Sequence, residues 1–191
     1  ANANQTIVAA TANLRTSVYG NNQISGSSAT GADATATVTA SSTAYNANGV
    51  VGGTIAINGA LGSQNITVGA NEHSNKTAEL INLQTQYTGV TASARATAQL
   101  QFGATGAYSL TLQSDNTDYK TISFAVSATS GSDGLANAVA AINEQSAKTG
   151  VVASLNQTAD GIILTNPTGN TIVVGKENGT NAGAVTVQKL V

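Results

Sequence analysis

Two hydrophobic periods alternate along the second half of the chain. Leu135, Ala138, Val139, Ile142 and Ser146 recur at helical spacing and draw one narrow stripe. This predicts a helix with Ser132 or Asp133 accepting its first free amides, Lys148 near its negative end and Gly150 as the left-handed residue that closes it. Val151 is placed to fold back on the last turn. The same signals occur earlier. Ala78, Ile81 and Thr85 hold a stripe that Leu80 and Leu83 widen, Ser74 or Asn75 is the candidate cap, and Gly89-Val90 make the stop. After each stop the period becomes two. Val90, Ala92, Ala94, Ala96, Ala98, Leu100 and Phe102 share one face of a long strand, and Val151, Ala153 and Leu155 begin a shorter one.

Strands are predicted ahead of each helix: Thr54–Asn58 and Asn65–Val68 before the first, Tyr108–Gln113 and Thr121–Ser127 before the second. Ile162–Thr165 and Thr171–Val174 flank Asn166-Pro167-Thr168-Gly169, where Pro and Gly stand at the positions a type I turn favours, so a hairpin is expected. Ala184–Val191 reads as a last strand. In the polar N-terminal stretch, Ile7–Ala10 and Ala34–Thr43 are short extended candidates. The fold class is therefore strand-rich α+β: two related strand-strand-helix-strand units and an N-terminal extended region. The boundaries drawn are 1–49 for the lead-in strands, 50–102 for the first unit, and 103–191 for the second with its hairpin and return strand.

The relation between the units is a repeat. Ile81, Asn82, Thr88, Gly89, Val90 and Ala92 recur as Ile142, Asn143, Thr149, Gly150, Val151 and Ala153 at a constant offset of 61 residues. Matches at fixed spacing favour duplication over chance. Asn82 and Asn143 read as structural, because an Asn amide near a helix end can satisfy loop backbone groups that the helix leaves open.

Composition narrows the function. Only 8% of residues are charged and the net charge is -2, so the low-hydrophobicity, high-charge signature of disorder is missing. Seven Lys and Arg, scattered singly, cannot neutralise a run of phosphates, which argues against nucleic acid as a partner. No run approaches the ~18 apolar residues of a membrane span. Ala1-Asn2-Ala3-Asn4-Gln5 lacks the basic start and apolar centre of a secretory signal. The absence of Cys excludes disulfides, thiolate metal sites and Cys nucleophiles.

Candidate chemistry is sparse. His73 is the sole histidine and has no Gly-x-Ser-x-Gly elbow to serve, so it reads as a solvated loop residue near a helix start. Asp115-Asn116-Thr117-Asp118 clusters oxygens without the spacing, central Gly or terminal Glu of a calcium loop, and reads as a polar turn. The nine acids include no pair whose neighbourhood suggests a raised pKa, and phosphate-cradling Gly motifs are absent. Asn-x-Ser/Thr triplets at Asn4, Asn65, Asn75, Asn156 and Asn178 follow from composition. No catalytic, cofactor-binding or metal-ligating residue is therefore expected.

Ile-Asn-x5-Thr-Gly-Val-x-Ala, preceded by a short helix and followed by a strand, resembles the motif in the central region of bacterial flagellins and of filament-cap and hook-associated proteins. It spans Ile81–Ala92 and Ile142–Ala153. The opening Ala1-Asn2-Ala3-Asn4-Gln5-Thr6-Ile7 is similar to the flagellin segment that follows the core-domain β-hairpin, where the chain leaves for the outer domains. The long helical flagellin termini are not among these residues, so the resemblance implies an outer, hypervariable portion of a flagellin. It further implies a secreted, extracellular structural component of the flagellum, serving motility without catalysis or cofactor. The implied partners are other flagellin subunits in the filament, and surface hydroxyls are available for glycans. Export as an unfolded chain through a narrow channel suits a Cys-free sequence with few bulky residues. Ala1 and Val191 are expected on one side of the domain, and the isolated fragment is expected to be monomeric.

Other readings predict different things. A filament-cap or hook-associated middle domain would share the motif. An adhesin or carbohydrate-binding module would use exposed aromatics, for which Tyr19, Tyr45, Tyr87, Tyr108 and Tyr119 are the candidates. An enzyme would depend on His73.

Overall fold

Alternation puts Ala98, Leu100 and Phe102 on one face of strand β4 (Ala96–Phe102), and that face carries the core. The computed structural model describes residues 35–37, 48–177 and 181–190. The expectations for Ala1–Ile7, Ile7–Ala10, Tyr19, Tyr45, Asn178, Val191 and most of the 1–49 region lie outside the described residues.

Strand β4 is central in a five-stranded antiparallel sheet. Its other members are β1 (Thr35–Thr37), β7 (Val152–Leu155), β8 (Ile162–Asn166) and β10 (Val185–Lys189), in the order β1-β10-β4-β8-β7. A three-stranded sheet faces it, made of β5 (Gly106–Gln113), β6 (Lys120–Val126) and β9 (Val173–Lys176) in the order β6-β5-β9. Between them Leu100, Ile162, Leu164 and Val185 meet Leu110, Leu112, Ile122 and Val126. Burial of each Leu or Ile contributes about 1.5–3 kcal/mol. Phe102, Tyr108 and Phe124 close one end, with Phe102 edge-on to Tyr108 at 4.9 Å between ring centroids. The Tyr108 hydroxyl donates to the Ala104 carbonyl at 2.7 Å, which answers its polar tip.

Helix α3 (Ser132–Glu144) packs against β6 of one sheet and β7 of the other, burying Leu135, Ala138 and Ile142. Its stripe is the predicted one. The part of the chain before β4 is slighter. A separate two-stranded sheet pairs β2 (Gly53–Asn58) with β3 (Ser63–Val68), and α1 (Ser74–Asn82) lies beside β3 with Ala78 as its buried residue. Each helix breaks before its stop. The final turns are separate short helices, α2 (Thr85–Thr88) and α4 (Ser146–Thr149).

The protein is strand-rich α+β, as the periods predict, but four local expectations are corrected. The long strand from Val90 begins only at Ala96, because its partner β8 ends at Asn166, opposite Ala96, and among the described residues no strand lies across from the residues before it. The turn at Asn166–Gly169 forms, with the Gly169 N–H donating to the Asn166 carbonyl at 3.3 Å, yet its strands do not make a hairpin. β8 pairs with β4 and β7, while β9 crosses to lie beside β5. Ser132 and Asp133 do not cap α3, whose N-cap is Gly131 with no side-chain bond. Nor do Ser74 and Asn75 cap α1. Their side chains bond the Gly169 carbonyl (2.7 Å) and Asn170 (2.7 Å), and the Gly169 carbonyl also accepts the Asn75 N–H at 3.3 Å. A neighbouring turn supplies the acceptor that a cap residue would have given.

Candidate functional site

The residues that recur in sequence meet at the helix stops. In α4 the Thr149 hydroxyl is buried; it donates to the Gln145 carbonyl at 3.0 Å and accepts the Val151 N–H at 3.2 Å. Gly150 follows at φ +70°, a left-handed conformation that costs a residue with a Cβ about 1 kcal/mol or more. Its N–H donates to the Ser146 carbonyl at 2.8 Å. Val151 then turns wholly into the core.

Asn143 completes the stop. Its Nδ2 donates to the Ala153 carbonyl at 3.0 Å and its Oδ1 accepts the Ala153 N–H at 2.7 Å, ten residues along the chain. A primary amide carries a donor and an acceptor in the arrangement of a peptide group, so Asn143 pairs with the edge strand β7 as one residue of an added strand would. Asp would lose the donor. Asn also leaves β7 without a bare edge at Ala153.

The earlier stretch makes the same bonds. Asn82 Nδ2 donates to the Ala92 carbonyl at 2.9 Å, and Asn82 Oδ1 accepts the Ala92 N–H at 2.7 Å. The buried Thr88 hydroxyl donates to the Gln84 carbonyl at 3.0 Å and accepts the Val90 N–H at 3.1 Å. Gly89 has φ +74° and its N–H donates to the Thr85 carbonyl at 2.7 Å. The packing differs. Ile142, Val151 and Ala153 are buried, whereas Ile81, Val90 and Ala92 are half-buried and Asn82 is exposed.

Each stop is also held by the loop of its own β-hairpin. The Leu61 N–H donates to the Thr88 carbonyl at 3.2 Å and the Asp115 N–H to the Thr149 carbonyl at 3.0 Å. Asp115 then reaches further. Its Oδ1 accepts Asn166 Nδ2 (2.7 Å), Asn170 Nδ2 (2.7 Å) and the Thr168 hydroxyl (3.2 Å). Partial burial pushes its pKa up, but the hydrogen bonds from Asn170, Asn166 and Thr168 outweigh this and hold it below the ordinary Asp value. Asn166 is fully buried and also donates to the Ser114 hydroxyl at 2.8 Å.

His73 is a further correction among the polar residues. It is not a solvated loop residue but the half-buried N-cap of α1, and its Nδ1 accepts the Thr171 N–H at 3.1 Å. Since a backbone amide can only donate, Nδ1 is the acceptor nitrogen of this ring. The turn Asn166–Thr171 thus joins the start of α1 to the β5–β6 loop through hydrogen bonds on both sides.

Sequence reasoning missed this junction and two further members of the stops. Gln84 and Gln145 recur at the same offset of 61 and share nearly one backbone conformation, at φ -98° and -96°. Their signal was available as an additional matched pair. The roles of Asn166, Asn170 and Thr171 depend on the crossing of β9, for which no local pattern exists. Tyr108, one candidate for sugar stacking, is buried in the aromatic cluster, while Tyr87 and Tyr119 are exposed. Among the described residues no three His, Asp or Glu side chains gather where a metal could be held.

Comparison with known families places the second stop. Residues 109–168, from β5 through β8, match the flagellin hook IN motif. No curated protein matches the chain. The matched stretch contains Ile142, Asn143, Thr149, Gly150, Val151 and Ala153 of the second stop.

Proposed function

We propose, for a chain that carries a flagellin hook IN motif, that these residues form the surface-exposed outer domains of a flagellin and serve as a structural part of the extracellular flagellar filament. The observation that supports this best is the stop at Asn143–Ala153, which lies inside the family match and bonds only backbone groups of its own chain. Every polar group of the motif is turned to holding a helix end against a strand, with no side chain aimed at a ligand. We read residues 50–102 as a second copy, whose hairpin, helix and stop are less deeply packed and whose last strand, β4, lies in the five-stranded sheet. The identical bonds of Asn82, Thr88 and Gly89 support that reading, while the family match itself stops short of them.

The arrangement suits a domain that must fold after leaving a channel. The stop bonds Asn143 to Ala153 across ten residues, so its loop closes at little entropic cost and the helix end is fixed by local sequence. Neighbouring flagellin subunits are the partners, and filament-based motility is the purpose. The role is structural, without catalysis or cofactor. Antibodies raised against this chain test the assignment on flagella. Labelling along the whole filament is expected. Labelling confined to the tip would replace the filament reading with that of the cap, and absence of label from filaments and tips alike would overturn both.

A further inference from the structure

The two hairpins are finished differently. In the second unit β5 is flanked on both sides, by β6 and by β9, through pairs that run from Leu110↔Lys176 to Gln113↔Val173. In the first unit β2 has β3 on one side, and among the described residues no strand on the other. That edge, unpaired among the described residues, is bare of the devices that keep edges apart. Residues 49–71 contain no charged side chain and no Pro. Ile55 shares a face with Ile66, its partner across the ladder, yet Ile66 is 5% exposed and Ile55 is 42% exposed. Val51, just before the strand, is 83% exposed.

We infer that the outer edge of β2 pairs antiparallel with β2 of a second copy of this chain. The sequence of the strand selects that occupant, because it is complementary to itself. With Ala56 opposite the second copy's Ala56, Ile55 faces Ile57, Thr54 faces Asn58 and Gly53 faces Gly59. Apolar meets apolar and polar meets polar across a two-fold axis, which is the requirement of an isologous contact. The lack of charge means that two identical edges approach without repulsion. The result is a four-stranded sheet that covers Ile55 and gives β2 the third-strand neighbour that β5 already has. A six-residue ladder is a weak contact, so the dilute chain is monomeric. Crowding along a filament supplies the concentration that favours pairing; only this last step rests on the filament reading.

A chain without cysteine makes the test direct. Ala56→Cys places one thiol on the proposed axis, where antiparallel partners stand within disulfide reach. Thr67→Cys places one on β3, two strands away from it. Both positions are exposed, and unchanged circular dichroism verifies the fold. On mild oxidation of the concentrated chain, the Ala56→Cys variant is expected to become mostly covalent dimer and the Thr67→Cys variant to remain mostly monomer. Ala56→Lys in the otherwise natural chain is expected to abolish the rise in sedimentation-average mass with concentration. Pairing is overturned if Ala56→Cys stays monomeric, or if both cysteine variants cross-link equally. A thiol at 56 that a water-soluble maleimide cannot reach in the dilute chain also overturns it, since the chain's own residues would then cover the edge. These results leave the filament reading standing, and tip-only antibody labelling would remove that reading while leaving a cross-linked edge intact.

Discussion

Asp115 occupies the space that a side chain on Gly150 would require. A Cβ built on that glycine would collide with the Asp115 carboxylate at Oδ2. The contact is close because the Asp115 N–H is bonded to the carbonyl of Thr149, the residue just before the glycine. Glycine at 150 thus answers two demands: the left-handed turn, and a hairpin loop laid directly on it.

Gly150→Ala therefore incurs two penalties and Gly89→Ala chiefly one. The backbone cost is about 1 kcal/mol at each. A Cβ at 89 would additionally meet the side chain of Leu61 at 3.2 Å, but Leu61 is largely exposed and can turn aside. In urea denaturation Gly150→Ala is expected to lose more stability than Gly89→Ala. Adding Asp115→Ala to Gly150→Ala should restore part of the loss. Strictly additive losses would show that the loop does not sense residue 150.

Asn143→Ala removes both bonds to Ala153 and leaves its buried backbone groups unanswered, with an expected cost of about 1–3 kcal/mol. Asn143→Asp keeps an acceptor for the Ala153 N–H but sets a carboxylate oxygen against the Ala153 carbonyl, and should be no better than alanine. Asn82→Ala breaks the equivalent bonds in an exposed setting where water replaces them, so a smaller loss is expected. Thermal melts of the three variants rank them, and equal losses at 82 and 143 would remove burial as the cause.

The carboxylate of Asp115 should make part of the stability pH-dependent. Its folded pKa lies below the ordinary value of 3.8, so its contribution is fully present above that value and is lost as pH falls through the lowered folded pKa. Asp115→Asn is expected to be less stable than the natural chain near neutrality. The difference should shrink as pH falls below 3.8. A gap that stays constant into acid would mean that the hydrogen bonds from Asn166, Asn170 and Thr168 do not favour the charged form.

These contrasts show which parts of the structure were legible in the sequence. The stripe of α3, the left-handed stops at Gly89 and Gly150 and the strand alternation in β4 arise within a few residues of chain, and local sequence states them. The pairing partners of those strands do not. Asn166-Pro167-Thr168-Gly169 has every property of a hairpin turn and does turn, but Asn166 is drawn to Asp115, more than fifty residues away, and β9 departs to the other sheet. The same long-range bonds took Ser74 and Asn75 from capping α1, and made His73 an acceptor for Thr171. Alanine-rich patterning also extends a strand too easily. Nothing in the alternation from Val90 to Phe102 shows that β8 turns away after Asn166, opposite Ala96, and leaves the residues before Ala96 without a partner strand among the described residues.

The two isoleucines of the repeat offer the sharpest comparison of the units. Ile142 is 2% exposed and belongs to the core between α3 and the sheets, whereas Ile81 is half-buried beside a hairpin that has no third strand among the described residues. Ile142→Ala should leave a cavity against rigid neighbours and cost about 2–5 kcal/mol. Ile81→Ala removes the same atoms where water already reaches part of the side chain, so a smaller cost is expected. Hydrogen exchange distinguishes where each loss is felt. Ile142→Ala should speed exchange throughout β4, β6 and β8, while the effect of Ile81→Ala should be confined to β3, α1 and α2. If Ile81→Ala loosened β8 as much as Ile142→Ala does, the two units would unfold together, and the hydrogen-bonded turn at Asn166–Thr171 would be coupling them more tightly than their separate cores suggest.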